Sequence, residues 1–366
     1  MSDADSRRAA RPLRLGLIDG DGIGPEVVGA ARQVVDEAMS AVGAPPVEWV
    51  PLSMGLRAIA EFGDPLPKQT LDALAEVDAW ILGPHDNASY PPEYRAVVPP
   101  GGAIRKRFDL YANIRPARAF AGVRATARDI DMVIVRENSE GFYADRNMYA
   151  GAGEFRPTPD LAMSVAVVSR AASERIAHQA FRLAATRRKR VTIVHKANVL
   201  PMTMGLFRDV CYEIATEYPD IEVDDEHVDA AAAHLVRAAA DYDVLVTENL
   251  FGDILSDLAG ELSGSLGSAA ALNCSATRAM AQAVHGAAPS LAGRNRANPV
   301  ALQLSAGMLL RWLATRDAEP SWLRASARIE QAVAGTFEAG IATADLGGLA
   351  STSEFTEQIG ARVHRR

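Results

Sequence analysis

The stretch from Asp243 to Leu258 constrains the chain most, because its periodicity changes in mid-course. Val244, Leu245 and Val246 form a short apolar run with β-branched residues, the pattern of a buried strand. Asn249 and Gly252 interrupt it, and Ile254, Leu255, Leu258 and Leu262 then recur at helical spacing. A strand that turns tightly into a helix is therefore expected, with Asp253 and Asp257 on that helix. Residues four apart share a helix face, where two like charges destabilise it by roughly a few tenths of a kcal/mol. Such a pair invites a cation, and an all-oxygen donor set suits Mg²⁺ or Mn²⁺. Equally, Asp253 could cap the helix and Asp257 lie in solvent, since acidic residues favour helix N-termini. The two readings differ in whether the rest of the chain supplies partners.

It offers several. Residues 13–18 read as a strand, followed by Asp19-Gly20-Asp21-Gly22-Ile23-Gly24-Pro25-Glu26 and a helix over 27–39. Pro25 suits a helix's first turn, and the glycines permit a tight one. A dinucleotide fingerprint needs a third glycine at 25 or 27, where Pro25 and Val27 stand, so a Rossmann site is rejected. A helix over 71–77 and a strand over 79–82 come next, then a Pro- and Gly-rich loop over 83–102. Phe108, Leu110, Ala112 and Ile114 alternate, predicting a strand that ends at Arg115 and is held extended by Pro116. A strand over 132–135 ends at Arg136. Asp160 is expected to open a long helix running to about Thr186, closed by the basic run 187–190. The helix dipole accounts for that run better than nucleic acid does. A strand over 191–194 delivers His195, Lys196, Ala197 and Asn198, and a further strand precedes a helix over 230–239. Residues 267–273 read as a loop, and helices over 299–314 and 323–337 complete the pattern, the second expected to be the last. Alternating strands and helices make the class α/β. Ligands in such sheets sit beyond the carboxyl ends of strands. Arginines and a lysine converging there on paired carboxylates suit an anionic substrate bridged by a metal. Taken singly, each strand-end Arg or Lys is a solvated cap.

At 366 residues the chain exceeds one ordinary core, so two domains are expected. A net charge of −8 gives no electrostatic footprint for nucleic acid. Charges interrupt every apolar run well short of a membrane span. Cys211 and Cys274 lack metal spacing and suit a reducing compartment. Residues 1–11 are polar and basic without an apolar stretch, a loose tail and not a signal peptide. A cytoplasmic location is expected.

With these residues placed, the sequence resembles the β-decarboxylating dehydrogenases, the family of 3-isopropylmalate, isocitrate, homoisocitrate and tartrate/D-malate dehydrogenases. The likeness runs from Leu15 to the C-terminus. Asn249-Leu250-Phe251-Gly252-Asp253-Ile254-Leu255-Ser256-Asp257 is its most specific motif. Gly20 to Glu26, His195 to Asn198, and His285-Gly286 through Ala297-Asn298-Pro299 agree in order and spacing. The resemblance implies two α/β domains, not a Rossmann fold. One comprises 1–110 with 264–366 and binds the cofactor; the other, 111–263, carries substrate, metal and dimer contacts, with an arm over about 137–159 exchanged in a homodimer. It implies that Arg105, Arg115 and Arg136 hold the carboxylates of a substituted malate. Asp253 and Asp257 would bind Mg²⁺ or Mn²⁺ with Asp229 of the partner subunit. Tyr143 and Lys196 would be the acid–base pair, Lys196 coming from the partner. Asn198 would lie near the nicotinamide, and His285, Gly286, Ala287, Ala288, Ser290 and Asn298 would hold the adenosine.

The implied activity is metal-dependent, NAD(P)-linked oxidative decarboxylation of a 3-substituted malate, 3-isopropylmalate-like. Isocitrate or homoisocitrate, and tartrate or D-malate, are the alternatives. A catalytically silent regulatory subunit is the alternative of another class; it predicts losses among these residues, and none is lost. Two departures stand out. The substrate-selecting segment reads Pro99-Pro100-Gly101-Gly102-Ala103, which leaves space and no side-chain handle. NAD users of the family carry an aspartate where Ser290 stands, and NADP users a lysine–tyrosine pair at 290 and 291. NAD is expected here, with Arg294 and Arg296 keeping NADP open.

Overall fold

The computed structural model describes residues 12–95, 98–143, 148, 150–151 and 153–365. The chain opens with β1 (Arg14–Ile18), α1 (Gly24–Ala41), β2 (Glu48–Leu52), α2 (Leu56–Phe62), α3 (Lys68–Glu76) and β3 (Ala79–Leu82). Helices α4 (Pro92–Arg95) and α5 (Pro100–Arg107) lead to β4 (Ala112–Arg118) and β5 (Asp131–Glu137). A separate two-stranded sheet, β6 (Glu154–Thr158) with β7 (Leu161–Ser164), precedes α6 (Arg170–Ala185) and β8 (Arg190–His195). Next come α7 (Thr203–Ala215), β9 (Glu222–His227), α8 (Val228–Ala238), β10 (Val244–Thr247) and α9 (Asn249–Ser263). Two short strands, β11 (Leu272–Cys274) and β12 (Ala279–Gln282), are followed by α10 (Val300–Asp317), α11 (Pro320–Glu338) and α12 (Thr352–Val363).

Ten strands form one mixed sheet in the order β2-β1-β3-β12-β11-β4-β5-β10-β8-β9. Strands from 14–82 and 272–282 make one half, and strands from 112–247 the other. The halves meet where β11 pairs antiparallel with β4, Asn273 opposite Asn113. β4 also runs against β5, so the sheet is not the all-parallel one of a Rossmann unit. α1 shows how the sequence builds the layers: Val27, Val28, Ala31, Val34 and Val35 recur at helical spacing and are all buried. Each such Val contributes about 1.5–3 kcal/mol relative to exposure. No helix among the described residues is long and apolar enough to cross a membrane.

Several sequence expectations need correction. The span 83–102 is not one loop, because Pro100 occupies the first turn of α5, where a missing N–H is harmless. Arg105 consequently stands on a helix. The strand begins at Ala112 and continues through Arg115 to Arg118, so Arg115 is mid-strand. Pro116 is accommodated because β11 pairs only with 112–114 and no longer lines that edge. The helix expected from Asp160 starts at Arg170, since Ser169 caps it by accepting from the Ala172 N–H at 3.2 Å. The preceding residues form β6 and β7 instead, and the remainder of the expected 137–159 arm lies partly outside the described residues. The span expected as loop before Asn273 runs into β11, and α12 follows the helix taken as last, started by a Ser351/Glu354 capping box.

Candidate active site

β10 delivers Glu248, whose carboxylate accepts from the N–H groups of Leu250 (3.0 Å) and Phe251 (2.7 Å) and so caps α9. The cap is Glu248 and not Asp253, which leaves Asp253 and Asp257 on the helix surface for other partners. Two arginines reach them from the neighbouring strands. Arg136, near the end of β5, is 2% exposed and lies across Gly252, where a Cβ would come within 2.6 Å of its Cγ. Its Nε and Nη2 donate to Asn249 Oδ1 at 3.0 and 2.7 Å, and Nη1 pairs with Asp253 Oδ1. From β4, Arg115 Nη1 donates to Ser256 Oγ at 2.6 Å and to Asp253 Oδ1 at 3.2 Å, with Asp257 Oδ1 at 3.6 Å. Tyr143 donates its hydroxyl to Asp253 Oδ2 at 3.0 Å, and its ring lies 5.7 Å beneath the Arg136 guanidinium.

Burial works to raise the Asp253 carboxyl, but Arg136 and Arg115, then the Tyr143 hydroxyl, outweigh it and hold Asp253 below the usual carboxylate range. Asp257 is raised by burial, only partly offset by Arg115. Burial and the neighbouring Arg136 push Arg115 down to about 10. Arg105 approaches from α5, donating to Gln282 Oε1 at 2.8 Å, and its charge is also felt by Asp253. The predicted arginines, Tyr143, Asp253 and Asp257 are thus brought to one region.

Lys196 and Asp229 stand elsewhere in the chain. β8 and β9 end level, with His195 opposite His227. The buried His195 accepts the Ala197 N–H at Nδ1 (3.0 Å), so Nε2 carries its proton and donates to Asp225 Oδ2 at 2.8 Å. One residue past β8, Lys196 pairs with Asp229 at the start of α8. Tyr143 and Lys196 therefore have different partners within one chain. Among the described residues no three His, Cys, Asp or Glu side chains are grouped to hold a metal, so Asp229 does not join Asp253 and Asp257 here. Asn198 is exposed in the turn after β8.

A pocket of about 400 Å³ lies against the β1–α1 turn, lined among others by Ile23, His285, Gly286, Ala288, Asn298 and Asp345. Ile23 N–H donates to the Ala287 carbonyl at 2.9 Å, tying the turn to this loop. His285 Nδ1 contacts its neighbour's carbonyl at 3.0 Å, which leaves Nε2 buried without a partner, and burial lowers the imidazole's pKa. Nε2 is therefore a lone pair awaiting a donor. Two expected residues fall outside the lining. Ser290 is exposed in the 289–291 turn, whose neighbouring Leu291 lines the pocket's rim instead, and Ala287 is buried behind the wall, packed on Gly22. Sequence reasoning missed the roles of Asn249 and Ser256, which lay inside the quoted motif. It also missed Gln282 and Asp345, which carry no local signal; Asp345 holds Asn298 Nδ2 at 2.9 Å.

Residues 14–359 match the family model described as isocitrate/isopropylmalate dehydrogenase. The isocitrate/homoisocitrate dehydrogenase of Thermus thermophilus is 42% identical over 352 residues, 94% of this chain and 97% of that protein. The 3-isopropylmalate dehydrogenase of Archaeoglobus fulgidus is 38% identical over 344 residues, with the same two coverages. The crystal structure of isocitrate dehydrogenase from Methylococcus capsulatus superposes with a TM-score of 0.84 at 41% identity, covering 96% of this chain and all of that one.

Proposed function

The chain belongs to the isocitrate/isopropylmalate dehydrogenase family, and from that premise we propose that it oxidatively decarboxylates a 3-substituted malate, using NAD and Mg²⁺ or Mn²⁺. The family makes it a β-decarboxylating dehydrogenase; the substrate, metal and cofactor are our reading. One observation carries it: two buried guanidiniums, Arg115 and Arg136, converge on the single carboxylate of Asp253. These guanidiniums are buried while their carboxylate partners, Asp253 and Asp257, are partly exposed, so a polyanionic ligand adds to their stabilisation, and planar guanidiniums match carboxylates in bidentate fashion.

The donor sets fit a divalent metal and a dinucleotide. Asp253 and Asp257 offer hard oxygens one helical turn apart, which suits Mg²⁺ or Mn²⁺, and Asp229 of the partner subunit would complete the set. His285 Nε2 lacks the donor that an adenine amine would supply, and Gly286 has no neighbour that would obstruct a ring above it. When bound, the metal supplies Lewis-acid polarisation of substrate oxygens, and the nicotinamide accepts the hydride. The protein's part is to bind and move protons. Arg105, Arg115 and Arg136 orient the carboxylates. Lys196 of the partner subunit takes the proton of the 2-hydroxyl, and Tyr143 returns a proton to the carbon that loses CO₂.

A homodimer is part of the proposal. Lys196 and Asp229 lie beside exposed apolar side chains, Val199 and Met202 (87% exposed), a surface suited to a second copy. The buried free thiols Cys211 and Cys274 suit a reducing, cytoplasmic setting.

The test is reduction of NAD⁺ and NADP⁺, separately, with Mn²⁺ and a panel of 3-isopropylmalate, isocitrate, homoisocitrate, D-malate and tartrate. Metal-dependent turnover of a panel member by the wild type, abolished in Asp253→Asn, is expected. Silence across the panel from a folded, dimeric protein would overturn the reading and favour a regulatory subunit.

A further inference from the structure

The segment that faces the malate substituent in the sequence reading, Gly101-Gly102 on α5, has no side chain of its own. The structure fills that room from elsewhere. His85 Nε2 lies 2.7 Å from the point a Cβ on Gly101 would occupy, so no other residue fits at 101 while the imidazole stays in place. Gly101 and Arg105 are four residues apart on α5 and share a face. The imidazole therefore covers the face that carries Arg105, and Arg105's charge acts on it directly.

His85 is also held firmly. The buried Asp21 donates its N–H to the Pro84 carbonyl at 2.7 Å and accepts the Asp86 N–H at 2.9 Å, gripping the residues on both sides. The same carboxylate accepts the Tyr90 hydroxyl at 2.8 Å and the Leu56 N–H at 2.8 Å. A backbone clamped on both sides of His85 by one buried anchor, itself held by two further bonds, gives this position the rigidity that discrimination between substrates requires.

We propose that His85 is the specificity-determining residue for the 3-substituent, and that it selects a polar substituent, bearing a hydroxyl or a carboxylate, over a branched alkyl group. This rests on the function proposed above. Burial, with Arg105 adding to it, lowers the imidazole's pKa, and a hydrogen bond to its own backbone occupies the nitrogen that can reach it, Nδ1. Nε2 then accepts from a substituent hydroxyl, or pairs with a substituent carboxylate after taking up a proton. An isopropyl group does neither and leaves the ring nitrogen desolvated. Sites built to hydrogen-bond a substrate group discriminate strongly against analogues that lack it.

The experiment compares kcat/KM for tartrate, isocitrate, homoisocitrate and 3-isopropylmalate, with NAD⁺ and Mn²⁺, in the wild type, His85→Ala and Gly101→Ala. The wild type is expected to prefer a polar-substituted malate over 3-isopropylmalate by about tenfold or more. His85→Ala should remove most of that preference through KM, and Gly101→Ala should do likewise by displacing the imidazole without altering it. The hydroxyl and carboxylate arms identify which polar group is read. Preference of the wild type for 3-isopropylmalate, or an unchanged ratio in both variants with unaltered melting temperatures, overturns the inference and leaves the dehydrogenase reading standing. A wild type that turns over none of the panel overturns that reading, and the inference with it.

Discussion

The start of α9 and the ends of β8 and β9 both present charged residues, yet they are built in opposite ways. Around Asp253 the side chains are crowded and mutually satisfied: Arg136 is 2% exposed and Asn249 buried, with Glu248 tying down the helix end. Around Lys196 the backbone is braced from within by the His195–Asp225 bond, and the half-covered lysine reaches an Asp229 whose side chain is 69% exposed. A buried cluster orders itself within one chain. A pair that ends in an exposed carboxylate and is flanked by exposed Val199 and Met202 acquires a dry environment only when another surface covers it. In the homodimer proposed above, the anion-binding half of the site would belong to one protomer and the proton-accepting half to its partner.

The largest expected effects test that division. Asp253→Asn should lower kcat/KM by about 10³-fold or more, because in the proposed function its charge positions both the arginines and the metal. Lys196→Ala should be similarly damaging. Mixed in equal amounts under conditions that exchange subunits, the two inactive variants should regain about one quarter of wild-type activity, since half the dimers hold one intact site of two. Steady-state assay of the mixture measures this directly. No recovery, with exchange shown by mass, would place Lys196 in its own chain's site and collapse the contrast.

The two regions were unequally legible in the sequence. Strand β10, helix α9 and the Asp253/Asp257 pair follow from a change of hydrophobic period and a spacing of four. What the pattern could not supply was which residue caps the helix: Glu248 precedes the periodic run, and its role lies in backbone geometry. Strand β4 was misplaced by about four residues because Phe108 and Leu110 extend its alternation backward into the turn after α5. The capping box of α12 was visible as Ser351 and Glu354 but passed over, and α6 was started too early because its true cap, Ser169, follows an apolar stretch that forms a strand. Gln282, Asp345 and His85 reach their sites through long-range contacts, which no local pattern encodes. The glycine pair at 101 and 102 shows the limit well, since the residue that occupies its space is sixteen positions away in sequence.

A smaller effect sharpens the claim that the Asp253 region is closely packed. Gly252→Ala adds a Cβ within 2.6–2.7 Å of Arg136 Cγ and Cβ, atoms near the backbone that cannot simply swing aside. Overpacking of this kind costs about 1–3 kcal/mol, and displacement of Arg136 should raise KM for the carboxylate substrate. Thermal melting and steady-state kinetics check both. The matched change Gly205→Ala, on α7 with nothing near its Cβ, should change KM little.

The smallest effect concerns the floor beneath that cluster. Glu140 is buried, its carboxylate accepts the N–H and hydroxyl of Ser169 at 2.7 and 2.8 Å, and its carbonyl accepts from Asn249 Nδ2 at 2.9 Å. Burial raises its pKa to about 7, from an ordinary value near 4.5. Between those values the folded protein binds a proton that the unfolded chain has released. Stability should therefore be undiminished by this group below the unfolded value, fall as pH rises toward 7, and stay lowered above it. Glu140→Gln removes the titration and should flatten the decline in melting temperature between pH 5 and 8. The recovered stability is on the order of 1 kcal/mol, because glutamine surrenders one of the two acceptors used by Ser169. An identical pH profile in the two proteins would show that water reaches Glu140, and that the cluster above it is less dry than the partner-facing contrast requires.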